Sequence, residues 1–343
     1  MTEITPQPAL TEHPRFGDFG FQTVVDTFQP RMADMQPSQT RFGLHQQVQY
    51  LYGGFRDAEG VLYAIERKFV GPMTGGAWIM SDESGHLALH PRALSSARGE
   101  SIREFTPDRR RWSNHLMQKM GERVGAGGDD QPLELVMTDD DITYSEGELL
   151  ELTGPCLGPG FQYYMPMRDE PLFYTTHAYW VRGTFLGKEV DGFLGFDHGY
   201  WAAGAEWKEY RVFEDLELTW EVFGNRFGET IEWGVIVKGR HGLAAAITFE
   251  DGEVVARADT MPTSVVLDDE DYIASVTYDI GGVGYEFTAE DKGKMREFSD
   301  ARWGGYKSVS GITRRVGDDR PLDNCFSWIE FFPDRIREDG LAK

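Results

Sequence analysis

The sequence predicts an all-β protein of antiparallel strands curled into barrels or sandwiches, with few short helices, and three observations carry that prediction. First, most of the chain reads as alternating or β-branched and aromatic runs, such as "GVLYAIERKFV" (60–70), in which residues of one parity face the same way. Second, turn signals separate these runs at short intervals, Asp251-Gly252 and Gly281-Gly282 among them. Asp-Gly between two such runs signals a hairpin, because a type I′ turn needs positive φ at both central residues. Third, no glycine-rich phosphate loop precedes a helix, so neither a P-loop nor a dinucleotide-binding βαβ unit is supported. The 22 Phe, 14 Tyr, 9 Trp and 40 Gly agree with this, since aromatic rings suit pleated surfaces and glycine suits turns.

The elements follow in order. "VVDTFQPRM" (24–32) is interrupted by Pro30. Residues 60–70 form one strand. "RRRWSNHLMQKMGERV" (109–124) is the best helix candidate, with Trp112, Leu116 and Met120 at helical spacing. The polar, glycine-rich 121–132 is a loop, and 133–152 contains two strands. "GPCLGPGFQ" (154–162) is the best boundary. The expected organisation is an N-terminal extension (1–19), a first β domain (20–160) and a second (161–343). "YRVFEDLELTWEVFG" (210–224) is dense with strand formers, with Glu214, Glu217 and Thr219 pointing outward. Two strands flank Asp251-Gly252 in 242–261, and 264–291 continues the pattern through an acidic turn at 268–271.

The chain's 343 residues are ample for a core. A net charge of −23 argues against nucleic acid and against an anionic membrane surface. It serves either solubility or the steering of cationic substrates. Cys156 and Cys325 allow one disulfide at most, and two free thiols in a reducing compartment are the default. The N-terminal residues lack the pattern of a signal peptide, and no run of 18 apolar residues occurs. A cytoplasmic protein with no membrane span is expected.

The stretch "VDGFLGFDHGYWAAG" (190–204) is the richest in chemistry. Asp197, His198, Tyr200 and Trp201 stand nearly side by side among glycines. It is either a crowded turn or the wall of a site. In a strand, Asp197 and His198 face opposite ways, unless a bulge, which Gly199 would permit, intervenes.

From "LFYTTHAYWVRGTFLGKEVDGFLGFDHGYW" (172–201) the chain resembles the AttH-like and carotenoid 1,2-hydratase group with its double-lipocalin relatives. Tyr174, Gly183, Val190, Gly192, Phe196, Asp197, His198 and Trp201 carry the likeness. A glycine follows the basic residue where that group usually has a polar one. "IEWGVIVKGRHGLAAAITFEDGEVV" (231–255) is similar through Trp233 and Asp251-Gly252. The resemblance implies two lipocalin-like β-barrels side by side, binding a hydrophobic small molecule.

Hydration of an unactivated alkene, or the reverse, needs a strong acid near the double bond and shielding of the cation that forms. A carboxylic acid in an apolar pocket stays protonated near neutral pH, and aromatic faces stabilise a cation. The leading expectation is a cofactor-independent lyase or isomerase of hydratase or dehydratase type. Its substrate would be lipophilic, such as a terpenoid or steroid-like compound. Asp197 would be proton donor or base, His198 or His177 would tune or relay, and Tyr174, Tyr200, Trp201, Trp303 and Tyr306 would line the pocket. Glu232 is a second acid. The alternatives are a lipocalin-type carrier without chemistry and a pericyclic cyclase that uses pocket shape alone. No metal is expected: His86 and His90, at strand spacing, stand about 13 Å apart, and no other ligand spacing occurs. No Gly-x-Ser-x-Gly elbow supports serine hydrolysis. Arg109-Arg110-Arg111 reads as a solvated helix start or as an anion clamp. A homodimer is left open.

Overall fold

In a computed structural model the alternating runs become two curled, mainly antiparallel half-barrel sheets, of 14 and nine strands among the described residues. The structure describes residues 23–35, 39–70, 73–90, 97–104, 109–113, 131–165, 170–202, 210–300 and 305–343. In the first sheet, β1 (Val24–Phe28), β2 (Thr40–Arg41), β3 (Leu44–Asp57), β4 (Leu62–Val70) and β5 (Met73–Ser81) come first. Next are β6 (Ala88–Leu89), β7 (Ala97–Glu104), β8 (Arg109–Ser113), β9 (Gln131–Met137) and β10 (Asp141–Glu146). Then follow β11 (Leu150–Pro155), β12 (Gly160–Met165), β13 (Leu172–Phe185) and β14 (Lys188–Trp201). The second sheet holds β15 (Thr219–Phe227), β16 (Thr230–Lys238), β17 (Leu243–Glu250), β18 (Glu253–Thr260) and β19 (Thr263–Leu267). It continues with β20 (Ile273–Ile280), β21 (Val283–Lys294), β22 (Lys307–Arg315) and β23 (Asn324–Phe331). Three short helices are described: α1 (Arg211–Leu216), α2 (Arg296–Asp300) and α3 (Pro333–Glu338).

The first sheet runs β6-β5-β4-β3-β14-β13-β11-β10-β9-β7-β8, with β12 on the first half of β13, and only β7 with β9 is parallel among the described pairs. The second is an antiparallel β18-β17-β16-β15-β23-β22-β21-β20-β19. Buried polar contacts show how far each sheet curls. Arg67 on β4 donates to Glu146 on β10 through Nε at 2.8 Å, five steps away along the strand order. Tyr278 on β20 donates to Glu221 on β15 at 2.6 Å, and Tyr285 on β21 to Thr248 on β17 at 2.9 Å.

Three apolar layers result. One is enclosed by the first sheet (Leu51, Phe55, Ile65, Leu135, Phe196) and one by the second (Phe223, Ile236, Tyr285, Ile329). The third lies between the sheets and includes Tyr174, Trp180, Phe193, Trp220, Trp233 and Phe326. Strand parity sorts the side chains: in β14, Phe193, Asp197 and Trp201 face the other sheet, while Leu194 and Phe196 face the first sheet's own core.

The hairpin turns follow their residues. Asp251-Gly252 has φ values of 49° and 82°, and Gly281-Gly282 60° and 94°, so both central positions are left-handed, as type I′ requires. Three sequence expectations are corrected. Arg109–Ser113 is a strand paired with β7, not a helix start; the rest of the 109–124 segment lies outside the described residues. Residues 211–216 form α1, because Val212, Phe213 and Leu216 share one buried helical face before β15 begins. Residues 133–152 hold β10 whole and parts of β9 and β11, three strands where two were expected. The glycine- and proline-rich 154–162 joins β11 to β12 inside the first sheet, and the change of sheet falls between Trp201 and Thr219.

Both cysteines are free thiols. Among the described residues no helix is long and apolar enough to cross a membrane, and no group of three or more His, Cys, Asp or Glu could hold a metal ion.

Candidate active site

β13 and β14 are two 14-residue arms of one hairpin, turning at Leu186-Gly187 with φ values of 52° and 78°. Its register sets Thr176 opposite Asp197 and Tyr174 opposite Gly199. On the other side of β14, β3 places Tyr52 opposite Gly195. Directly paired residues share a face, so all three hydroxyls converge on one carboxyl. Tyr52 and Thr176 donate to Asp197 Oδ1 at 3.0 and 2.6 Å, and Tyr174 to Oδ2 at 2.9 Å.

Asp197 is buried, and burial pushes its carboxyl up to about 7 against the three hydroxyl hydrogen bonds, which favour the charged form. Glu330 adds a smaller upward push. The group therefore exchanges a proton near neutral pH, the condition that suits general acid–base work. Burial likewise raises the Tyr52 and Tyr174 phenols, reinforced by Asp197, so both remain hydroxyl donors.

Asp197 opens onto a cavity between the two sheets. Tyr50, Tyr52, Tyr174 and Trp201 wall it from the first sheet, and Trp220, Val222 and Trp328 from the second. Phe213 of α1 and Tyr306 close it, and Glu66, Glu217 and Glu330 complete the described lining. Two glycines make room for its walls. A Cβ on Gly195 would lie 2.8 Å from the Tyr52 ring, and one on Gly199 would overlap the Trp201 ring.

The sequence-chosen residues divide by parity. Asp197, Tyr174, Trp201 and Tyr306 border the cavity. His177 and His198 face the first sheet's own core: His177 Nε2 is 2.9 Å from Tyr179 Oη, and the two imidazole rings are 5.6 Å apart. The bulge at Gly199 exists, in the pairing of β14 with β3, but it falls after His198 and does not turn it toward Asp197. Tyr200 also faces away, packing on Leu44 and Phe173 and accepting from Gln46 Nε2 at 3.2 Å. Trp303 lies outside the described residues. Glu232 faces the second sheet's core, taking Tyr285 Oη at 2.9 Å and Arg315 Nη2 at 2.8 Å. Glu214 is exposed as expected, but Thr219 is buried and Glu217 lines the cavity.

Tyr52, Thr176, Trp220 and Trp328 were missed. For Thr176 a signal existed: it and Asp197 stand equally far out on the two arms of the 186–187 hairpin. For Tyr50 and Tyr52 the alternation in "QYLYGG" gave the face but not the partner strand.

No protein-family model matches the sequence, and neither does any curated protein. Among solved structures the chain is similar to CghA with Sch210972, at 11% identity and TM-score 0.46, covering 82% of this chain and 87% of that one. It is also similar to an AttH protein of Nitrosomonas europaea, at 11% identity and TM-score 0.43, covering 83% and 92%. A third is kievitone hydratase from Nectria haematococca, at 7% identity and TM-score 0.41, covering 88% and 91%.

Proposed function

We propose that this protein is a cofactor-independent lyase or isomerase of hydratase or dehydratase type, acting on a lipophilic small molecule enclosed between the two sheets. One observation carries the reading: a buried carboxyl, poised near neutral pH and fixed by three hydroxyls, opens onto an aromatic-walled cavity. Asp197 donates a proton to an alkene carbon, or to the leaving hydroxyl of a tertiary alcohol. The aromatic faces of Trp201, Trp220 and Tyr174 shield the carbocation that forms. The conjugate carboxylate, held by Tyr52, Thr176 and Tyr174, then takes a proton back from the attacking water or from the adjacent carbon. Hydration consumes one water and dehydration releases one, and Asp197 is returned to its starting protonation state in either direction.

The test is turnover of a panel of terpenoid and steroid-like alkenes and tertiary alcohols by wild type and Asp197→Asn. The amide keeps the shape, and the surrounding hydroxyls can rotate to meet it. Conversion by wild type and a loss of roughly 10²–10⁴-fold in the variant are expected. A fully active variant would move the reading to a shape-only cyclase. Tight binding without conversion of any panel member would move it to a carrier.

A further inference from the structure

The three donors on Asp197 are divided unevenly between its oxygens. Tyr52 and Thr176 both donate to Oδ1, at 3.0 and 2.6 Å, whereas Tyr174 alone donates to Oδ2, at 2.9 Å. Each carboxyl oxygen has two lone pairs to offer. Oδ1 is therefore fully used, and Oδ2 keeps one lone pair. In the neutral acid, a proton on Oδ1 would leave one lone pair for two donors, and a buried hydroxyl that loses its acceptor is costly. A proton on Oδ2 leaves every donor its acceptor. The surroundings agree. Thr176, on Oδ1, is fully buried and is not among the described residues lining the cavity, whereas Tyr174, on Oδ2, borders it. Trp220 of the second sheet stands edge-on to the Tyr174 ring at 4.8 Å and holds the phenol in place.

We propose that Asp197 carries its transferable proton on Oδ2, that Tyr174 is the catalytic residue acting on that oxygen, and that Tyr52 and Thr176 are positioning residues that hold Oδ1 as the carbonyl. This rests on the reading of Asp197 as the acid of the cavity, and it assigns the proton transfer to one atom. In hydration, the Oδ2–H bond breaks as the alkene π electrons form the new C–H bond, and the electron pair of the broken bond stays on Oδ2. The hydroxyl oxygen of an acid is a weak acceptor and a carboxylate oxygen a strong one, so the Tyr174 hydrogen bond tightens as the proton departs. An interaction that strengthens toward the transition state accelerates the step. Water then adds to the cation, and its proton returns to Oδ2. In dehydration, Oδ2–H protonates the leaving hydroxyl, water departs, and Oδ2 takes a proton from the adjacent carbon.

The experiment is isotope-edited infrared difference spectroscopy, which reads the acid without a substrate. Protein carrying isotope-labelled aspartate is recorded below and above about pH 7, where Asp197 exchanges its proton, and the Asp197→Asn spectrum is subtracted. The label separates Asp197 from Glu221, which titrates in the same range. Hydrogen bonds to the C=O of a carboxylic acid lower its stretching frequency. Thr176→Val and Tyr52→Phe should each raise the band, Thr176→Val by more because its bond is shorter, and Tyr174→Phe should leave it nearly unmoved. The two Oδ1 variants are independent, so either decides the matter if the other does not fold. A band that Tyr174→Phe raises as far as Thr176→Val does, a band that neither Oδ1 variant moves, or no Asp197 acid band at all would overturn the proposal. The spectrum is read apart from turnover. A band raised by Tyr174→Phe beside Asp197-dependent turnover leaves the enzyme reading standing, whereas the expected shifts beside a fully active Asp197→Asn remove that reading and not the placement of the proton.

Discussion

The Tyr52 phenol on β3 donates to Asp197 Oδ1 on β14 at 3.0 Å, crossing above Gly195 of the same strand. This bond favours the charged carboxylate, whereas burial favours the acid. The balance leaves the group near 7, and a proton donor is active only below its pKa. The wild-type kcat/KM should therefore fall as pH rises through about 7. Tyr52→Phe removes one stabiliser of the charged form, so the folded pKa rises and the falling limb moves to higher pH. A hydrogen bond to a charged group contributes about 1.5–3 kcal/mol, and about 1.4 kcal/mol is one pH unit. A displacement of roughly one unit is expected. A pH–rate profile with the limb unmoved, or moved downward, would show that Tyr52 does not set the proton affinity.

Gly195→Ala tests the same bond from below. The new methyl would lie 2.8–2.9 Å from the end of the Tyr52 ring, so the phenol must tilt away from Asp197. Overpacking of this kind costs about 1–3 kcal/mol of stability. Its effect on the pH profile should resemble that of Tyr52→Phe, and the double variant should add little more, because both act through one contact. Additive shifts in the double variant would separate Gly195 from Tyr52.

Glu221 offers a stability test away from the cavity. It is enclosed by the second sheet and receives hydroxyls from Tyr278 at 2.6 Å, Ser327 at 3.2 Å and Thr313. Burial raises it from the ordinary 4.5 to about 7. The native state then binds this proton more tightly than the unfolded chain, so unfolding releases a proton and stability falls as pH rises between about 4.5 and about 7. The stabilisation is complete below the unfolded value and lost above the folded one. Glu221→Gln removes this titration and should shrink the fall in stability between pH 5 and 8 by on the order of 2–3 kcal/mol. Denaturant melts at those two pH values decide it; an unchanged difference would mean that Glu221 stays charged throughout.

Much of this architecture was legible in the sequence. The all-β class, the 251–252 and 281–282 hairpins and the singular character of 190–204 follow from period-2 patterning and turn chemistry. Residues within one hairpin could be sorted by parity alone, which separates His198 and Tyr200 from Asp197. The composition of the cavity could not be read. Tyr52, Trp220 and Trp328 come from three strands far apart in the chain, and their meeting depends on which strands pair and how far each sheet curls. The short α1 was also hidden, because the strand formers of 210–224 outweigh a single helical turn whose apolar residues are buried by tertiary packing. Glycine and proline at 154–160 mark a turn, and a turn within a sheet has the same local chemistry as one between sheets.

The sheets are locked together by a reciprocal exchange. Phe326 of β23 fills the space over Gly54 of β3, and Phe193 of β14 fills the space over Gly224 of β15. The two phenyl rings stack at 6.2 Å with planes 21° apart. Each sheet thus offers a glycine hole to the other's ring, and a Cβ at either glycine would overlap that ring. Gly54→Ala should cost about 1–3 kcal/mol, because the close-packed interior cannot absorb the methyl without moving Phe326. Phe326→Leu alone should also destabilise, by leaving part of the hole empty. Combined, the smaller side chain accommodates the added methyl, so the double variant should be more stable than the sum of the two losses, by at least 0.5 kcal/mol. Chemical denaturation of the four proteins measures this. Simple additivity, or a neutral Gly54→Ala, would mean that Phe326 and Gly54 do not hold the sheets in register. The cavity depends on that register, since its walls come from both sides of the interlock.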